Sequence, residues 1–264
     1  MIAGGTAYGL LMSIDLTDSK ELVGVRELAL GSLLEKNRAT ASPLERLQTK
    51  EQQVAEFLRE SILGGVFARG QKLKQAEIAK RLDISITPVR EALKLLEAEG
   101  YIHVLAHRGA VVAPFQIERV DELFQLRLMM EPKLTLTATK LLKDKDLEEL
   151  SAIDILMNQA THRRDLESTR RAYNFRFHFR LYECADLPQM LHFVRVVWAK
   201  YPFDMLGALP NRAEQVAGEH EKIMQALRAR DGRAAMRAMQ AHIESGQRLF
   251  KANYGLNSSR DTRG

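Results

Sequence analysis

Residues 85–100 carry the side chains best suited to chemistry with DNA. Hydroxyl, guanidinium and ammonium groups recur there as Thr87, Arg90 and Lys94. Such groups hydrogen-bond to base edges and phosphates, so a helix that presents them can enter a major groove. The alternative is structural: Arg90 would brace a neighbouring helix, and Lys94 would be only a solvated residue. We favour contact with DNA.

Local signals predict that this segment is a helix. Ser85 or Thr87 is of a helix-capping type, and Pro88 is tolerated because first-turn amides lack intrahelical partners anyway. Gly100 provides a stop. The apolar positions recur at helical spacing and would face a core: Val89, Leu93 and Leu96. The cations therefore lie on the opposite face, together with Ile86.

The elements around this helix predict a winged helix-turn-helix. In chain order they are helices over 49–63, 73–82 and 85–100, then strands over 101–105 and 110–113. The strands flank a turn, and Pro114 marks the boundary. Three helices followed by a β-hairpin place a recognition helix and a wing on one side of a small domain.

Three further cations are candidates for DNA contact. His107 and Arg108 occupy the hairpin tip and would lie along or in the minor groove, although an ordinary polar turn looks the same in sequence. Arg81 ends the second helix and would meet a phosphate. Because a domain of this size reads only a few base pairs, we expect a homodimer on a two-fold double-stranded DNA operator.

The chain beyond Pro114 predicts an all-α bundle of about six helices, so the fold class is mainly α. These helices are expected over 117–142, 144–159, 166–184, 187–206, 212–230 and 234–252. Pro132 is expected to bend or break the first of them, and Asp144 and Asp231 to cap two others. The predicted divisions are a partly mobile extension over 1–42, containing a helical candidate over 21–36, a DNA-binding domain over 43–113, a helical domain over 114–252 and a tail over 253–264.

Composition excludes some classes of protein and favours a nucleic-acid partner weakly. The 264 residues carry a net charge of +5. A single cysteine, Cys184, excludes an internal disulfide framework and fits a reducing cytoplasm. No apolar run approaches the roughly 18 residues that would span a bilayer. No basic region precedes the apolar stretch 1–12, so a signal peptide is not expected and we predict a cytoplasmic location.

Residues 44–113 resemble the DNA-binding domain of the GntR family of bacterial transcription regulators. The motif is Gly70-x-x-Leu73, Ile78-Ala79, Ser85-x-Thr87-Pro88-Val89-Arg90-Glu91-Ala92-Leu93 and Glu99-Gly100. The remainder resembles the FCD ligand-sensing domain of the FadR-like branch. Its marks are Arg127-x-x-x-Glu131-Pro132, Phe177-His178, Glu219-His220-x-x-Ile223 and His242. The resemblance implies a transcription regulator rather than an enzyme, usually a repressor released by its effector.

Two residues depart from the family pattern in the DNA-binding part. Ile86 stands where the family usually has arginine, and Gln75 stands where glutamate is common. Isoleucine can touch a thymine methyl group but cannot hydrogen-bond to a guanine or a phosphate. The operator sequence of a relative therefore does not transfer to this chain.

The resemblance also implies a divalent metal ion, zinc or nickel, in the helical domain. His178, His220 and His242 fall where the family places metal ligands. Asn174, one helical turn before His178, replaces the usual aspartate, so it is a weak ligand or binds a water or effector. Open metal positions and Arg127 would then bind a small carboxylate effector, unless Arg127 only bridges to the residue at i+4.

Two other functions remain open at this point. The departure at Asn174 leaves room for a DNA-binding dimer whose helical domain only dimerises and has a degenerate site. A metal-dependent hydrolase has a similar count of histidine ligands. Against the hydrolase, no clear acid–base carboxylate accompanies the histidines in the sequence, and an enzyme needs no recognition helix or wing.

Overall fold

The computed structural model describes residues 49–105, 109–161, 167–209 and 211–254, and its described part is mainly α-helical. It contains ten α-helices and one two-stranded antiparallel sheet. The expectations for residues 1–42, including the helical candidate over 21–36, lie outside the described residues. So do the last ten residues of the predicted tail.

The first five elements form the predicted winged helix-turn-helix. They are α1 (Lys50–Leu63), α2 (Gln75–Arg81), α3 (Ile86–Glu99), β1 (Ile102–Leu105) and β2 (Gly109–Val112). The apolar face of α3 is buried, and Gly100 ends this helix in the left-handed conformation at φ +83°, as predicted. Ser85 lies at the N-cap position without a side-chain capping bond. The hairpin pairs Ile102 with Val112.

Seven helices follow rather than about six. They are α4 (Val120–Leu141, after a 3-10 turn over Ile117–Arg119), α5 (Asp144–Thr161), α6 (Glu167–Glu183), α7 (Pro188–Lys200), α8 (Phe203–Gly207), α9 (Arg212–Arg228) and α10 (Gly232–Tyr254). The extra helix arises because Tyr201 is extended, at ψ 140°. The ring of Pro202 disfavours the helical conformation for the preceding residue, so the segment expected as one helix divides there.

Of the predicted bend or break at Pro132, the break is wrong. Helix α4 runs through Pro132 to Leu141, and the proline is buried. This helix has its most extensive packing against α10 and also contacts α6 and α7. Packing against several helices therefore keeps this segment helical, even though Pro132 has no amide hydrogen to donate.

One of the two predicted aspartate caps is confirmed. The carboxylate of Asp231 accepts a hydrogen bond from the Ala234 amide at 2.9 Å and caps α10. Helix α5 differs, because Asp144 is its first residue rather than its cap. There the Asp146 carboxylate accepts the Lys143 amide at 2.6 Å. A hydrogen bond reaching back from the first turn, which is one half of a capping box, replaces the expected cap.

Residues from Val54 onward belong to one compact unit, so the winged-helix elements and the helical bundle share contacts. The Arg69 guanidinium donates to the Ala199 carbonyl at 2.8 Å, and the buried Tyr101 hydroxyl donates to the Arg195 carbonyl at 2.9 Å. Arg176 on α6 pairs with Glu60 on α1 at 3.3 Å. Helices α6 and α7 therefore provide the surface against which α1 and the sheet rest.

Among the described residues, no helix combines the length and apolar character needed to cross a membrane.

Candidate functional site

The outer face of α3 presents the predicted DNA-contacting side chains to solvent. Thr87, Arg90 and Lys94 are all exposed. Lys94 pairs with Glu91 at 3.0 Å, and Arg90 lies 3.9 Å from the same carboxylate. Exposed pairs of this kind contribute roughly 0–1 kcal/mol, so phosphates or bases can displace them. Arg81 is likewise exposed at the end of α2, whereas His107 and Arg108 lie outside the described residues.

Lys72 is a cation near the wing that the sequence reasoning missed. It is exposed and forms an isolated β-bridge with Val111. Its Cε would lie 3.8 Å from a Cβ placed on Gly109, the first residue of β2. The Lys72 side chain therefore runs beside the hairpin. No helical or strand period singled it out in the sequence.

Three histidines from three helices meet in the interior of the bundle. His178 lies on α6, His220 on α9 and His242 on α10, and all three are buried. One ring nitrogen of each lies within 4.8 Å of the corresponding atoms of the other two. The ring centroids are 5.0 Å apart in each pair. The three histidines that the family resemblance marked as metal ligands are therefore close together in the folded chain.

Hydrogen bonds engage one nitrogen of His178 and one of His242. Nδ1 of His178 bonds the Tyr182 hydroxyl at 2.9 Å, and Nδ1 of His242 bonds the Glu219 carboxylate at 2.7 Å. Nε2 of His178 and both nitrogens of His220 have no hydrogen-bond partner within the part of the chain that is described. Because buried polar atoms are normally satisfied, these nitrogens fit a metal ion well.

The protonation of the cluster suits ligation of a metal. Burial, together with the neighbouring histidines, lowers the pKa of His178 and His220 well below the ordinary value. Burial also lowers the pKa of His242, although its bond to Glu219 opposes the shift. Neutral imidazole is the form that binds metals. The rings therefore need not release protons near neutral pH before they can coordinate an ion.

Two carboxylates lie next to the histidines, so the expectation that none accompanies them is wrong. Asp154 on α5 is buried, and its Oδ1 lies 3.9 Å from Nδ1 of His220. Burial raises the pKa of Asp154 to about 6. Burial alone would also raise the pKa of Glu219, but the bonds from His242 and Arg212 lower it to about 2. Glu219 adjoins His220 in sequence, whereas nothing in the sequence pointed to Asp154.

Arg127 is engaged in the intrahelical bridge that the sequence offered as the alternative to effector binding. Its guanidinium donates to both oxygens of Glu131, at 2.6 and 3.2 Å. The same carboxylate accepts Trp198 Nε1 at 2.8 Å and the Tyr182 hydroxyl at 2.6 Å. Burial alone would lower the pKa of Arg127, but Glu131 raises it above its ordinary value. Through Tyr182, this network reaches His178.

A cavity of about 50 Å³ lies beside the histidine cluster. Its wall includes His242, Arg127 and Asn174, and also Leu63 from the last turn of α1. Three further arginines line it: Arg170, Arg171 and Arg212. The sequence reasoning did not find these three because their helices read as ordinary amphipathic segments. Leu63 brings the DNA-binding part of the chain into the wall of the cavity.

Comparison with known proteins matches both halves of the chain to families. Residues 50–112 match the bacterial regulatory proteins of the gntR family, and residues 122–245 match the FCD domain. The chain is 27% identical over 215 residues to the Exu regulon transcriptional regulator of Escherichia coli, covering 74% of this chain and 81% of that protein. It is 26% identical over 205 residues to the transcriptional repressor RspR of Escherichia coli, covering 76% and 89%.

Solved structures show the same fold. The E. coli McbR/YncC structure superposes with a TM-score of 0.67 at 23% identity, covering 79% of this chain and all of that one. A putative GntR transcriptional regulator from Rhodococcus sp. RHA1 gives a TM-score of 0.60 at 22% identity, covering 78% and 99%. The chain belongs to the GntR family of DNA-binding transcriptional regulators, with a winged helix-turn-helix followed by an FCD domain.

Proposed function

We propose that this regulator is a cytoplasmic repressor that binds a double-stranded DNA operator as a homodimer and leaves it when a small organic acid binds beside a metal ion. One observation carries the sensing part. Buried histidine nitrogens that have no hydrogen-bond partner among the described residues lie next to a cavity whose wall includes Leu63 of the DNA-binding part.

DNA binding is assigned to the exposed face of α3, assisted by the wing. Thr87, Arg90 and Lys94 would contact bases and phosphates in the major groove. Arg81, His107 and Arg108 would contact the backbone or the minor groove. The exposed Ile86 beside them gives an apolar contact suited to a thymine methyl group. Two copies on a two-fold site would supply the specificity that one domain lacks.

The metal would be held by His178, His220 and His242. Imidazole ligands suit zinc or nickel, and a divalent ion supplies Lewis acidity that binds a carboxylate oxygen. The Glu219 carboxylate, bonded to Nδ1 of His242, would orient that ring, as partners of metal-ligating histidines commonly do. Asn174 in the cavity wall offers a neutral oxygen to a water or to the effector.

Coupling to DNA would run through the contacts between α1 and the bundle. Leu63 lines the cavity, and one turn earlier Glu60 pairs with Arg176 on α6, the helix that carries His178. An effector that fits better when α1 is displaced would favour the displaced arrangement. Only such a difference in affinity can shift the protein between a DNA-binding and a released state.

The test combines metal analysis with DNA binding. Purified wild-type protein is expected to hold about one zinc or nickel per protomer, and His220→Ala to lose it. His192→Ala is the matched control, because His192 is exposed on α7 and should leave the metal content unchanged. Gel shifts on the DNA upstream of the gene, at fixed salt, would then be repeated with organic acids.

The results also separate the alternatives. Wild-type protein that binds DNA but holds no metal, and that ignores every acid, would favour a helical domain that only dimerises. Metal-dependent turnover of ester or phosphoester substrates, lost in His220→Ala, would favour a hydrolase. Release of DNA by an acid in wild-type protein, weakened in His220→Ala but not in His192→Ala, is the outcome that the proposed function requires.

A further inference from the structure

Arg170 differs from the other arginines in the cavity wall. Those three each pair with a carboxylate: Arg127 with Glu131 at 2.6 Å, Arg171 with Glu167 at 3.0 Å and Arg212 with Glu219 at 3.0 Å. Arg170 is only 6% exposed, and its Nη2 donates to the Gly207 carbonyl at 3.2 Å. Among the described residues, no carboxylate lies within ion-pair distance of its guanidinium.

A buried cation is unfavourable without an anionic partner, and the described residues supply none within ion-pair distance, so this position calls for an explanation. Burial lowers the pKa of Arg170, and the positive charges of Arg171 and Arg212 add to the shift while Glu167 opposes it. Arginine nevertheless stays protonated in proteins, because its pKa starts above 12. An anion entering the cavity would therefore neutralise a charge that is already largely removed from solvent.

The cationic groups around the cavity indicate how many anionic groups a ligand would bring. The three paired arginines already contact carboxylates of their own. A metal ion held by the histidines would take one carboxylate, and Arg170, whose Nη2 contacts a carbonyl among the described residues, would take a second.

We propose that Arg170 binds a second anionic group of the effector, so that the effector is a short dianionic acid. This inference rests on the proposed function, which places the first carboxylate at the metal. The apolar walls formed by Phe175, Val216 and Ile243 would pack against the carbon chain between the acid groups. A cavity of about 50 Å³ has room for a few water-sized groups, at roughly 10–15 Å³ each, so the acid would have to be short.

The shape of the wall supports the same assignment. Gly207 supplies the carbonyl that holds Arg170, and a Cβ there would lie 3.7 Å from Arg170 Nη2 and 3.4 Å from Arg171 Cδ. Both arginine side chains therefore run close to the backbone at this glycine. Gly207 is the one hydrogen-bond partner of this guanidinium among the described residues, and its planar fork of N–H groups has the geometry for a bidentate contact with a carboxylate.

The experiment compares acids that differ by one carboxylate on zinc-loaded protein. Calorimetric titrations with succinate and butyrate, and with malonate and propionate, would give two ratios of dissociation constants. Wild-type protein is expected to bind each diacid about 10- to 100-fold tighter, the range that charge-assisted hydrogen bonds supply. Arg170→Gln should reduce both ratios to about twofold, and Arg170→Lys should retain an intermediate ratio.

Arg237→Gln is the matched control, because Arg237 is exposed on α10 and should keep the wild-type ratios. Equal binding of both acids by wild-type protein, or a preference that survives in Arg170→Gln, would overturn the assignment. If both acids release DNA equally well, the proposed function stands and this inference fails. If neither acid binds and DNA affinity is unaffected, both fail. If Arg170→Gln does not fold, the assignment is tested by the ratios of dissociation constants measured for wild-type protein and for Arg170→Lys.

Discussion

Neutralising the buried carboxylate of Glu131 is expected to destabilise the helical domain strongly. This carboxylate is fully buried and accepts four hydrogen bonds, two from Arg127 and one each from Trp198 and Tyr182. In Glu131→Gln one oxygen can still accept from Arg127 and Trp198. The new amide group would face Arg127 Nη2, donor against donor, and the arginine would keep its charge without a counter-ion.

The expected loss is about 3–5 kcal/mol in the free energy of unfolding, the range for removing one partner of a buried ion pair. For a chain of this size, each kcal/mol lowers the melting temperature by roughly 2–4 °C, so the drop should be about 6–20 °C. Circular dichroism would follow the melting. Trp198 is the only tryptophan, so its fluorescence should report the same disturbance locally.

Glu122→Gln makes the same substitution on the same helix and serves as control. Glu122 pairs with Arg119 at 3.4 Å, and both side chains are about two-thirds exposed, so the loss should stay within roughly 0–1 kcal/mol. Adding Arg127→Met to Glu131→Gln removes the orphaned charge and should recover part of the stability. The reasoning is refuted if Glu131→Gln loses no more than the control, or if the double variant is less stable than the single one.

Three further predictions concern DNA binding, pH and coupling. Arg90→Ala should weaken operator binding by about 1–3 kcal/mol, measured by fluorescence anisotropy at constant salt, and an unchanged isotherm would contradict a base contact. Because burial lowers the pKa of the three clustered histidines, the unfolded chain takes up more protons than the folded one below their ordinary pKa of about 6.5. Their contribution to stability should therefore be full above that pH and fall as the pH drops toward 5. The zinc affinity of the folded protein should hold over the same range, because the buried rings stay neutral; a steep fall in zinc affinity over that range would contradict the lowered pKa values. Leu63→Ala should cost about 2–5 kcal/mol of stability and weaken the release of DNA by an acid while leaving DNA affinity without acid unchanged, whereas a wild-type acid response would exclude Leu63 from coupling.

The sequence by itself determined the fold class, the recognition helix and the histidine positions. Periodicity identified α3 because its apolar residues repeat every three or four positions and its end needs a glycine at positive φ. The family could be identified from the sequence because its motifs are sets of residue types at fixed spacing along the chain. Helix ends were less predictable: the Tyr201-Pro202 step divided one expected helix, and packing carried α4 through Pro132.

Only the tertiary structure decided which charges around the site are already paired. Arg127 and Arg170 are equally basic in sequence, yet one contacts a carboxylate at 2.6 Å and the other, among the described residues, contacts a carbonyl. Asp154 comes from a helix that no motif marked, and Leu63 reaches the cavity from the DNA-binding part. The burial and the pairing of a charge depend on residues that are far apart in the chain. Side-chain type and spacing therefore cannot reveal them, and they become visible only where the helices pack together in the folded protein.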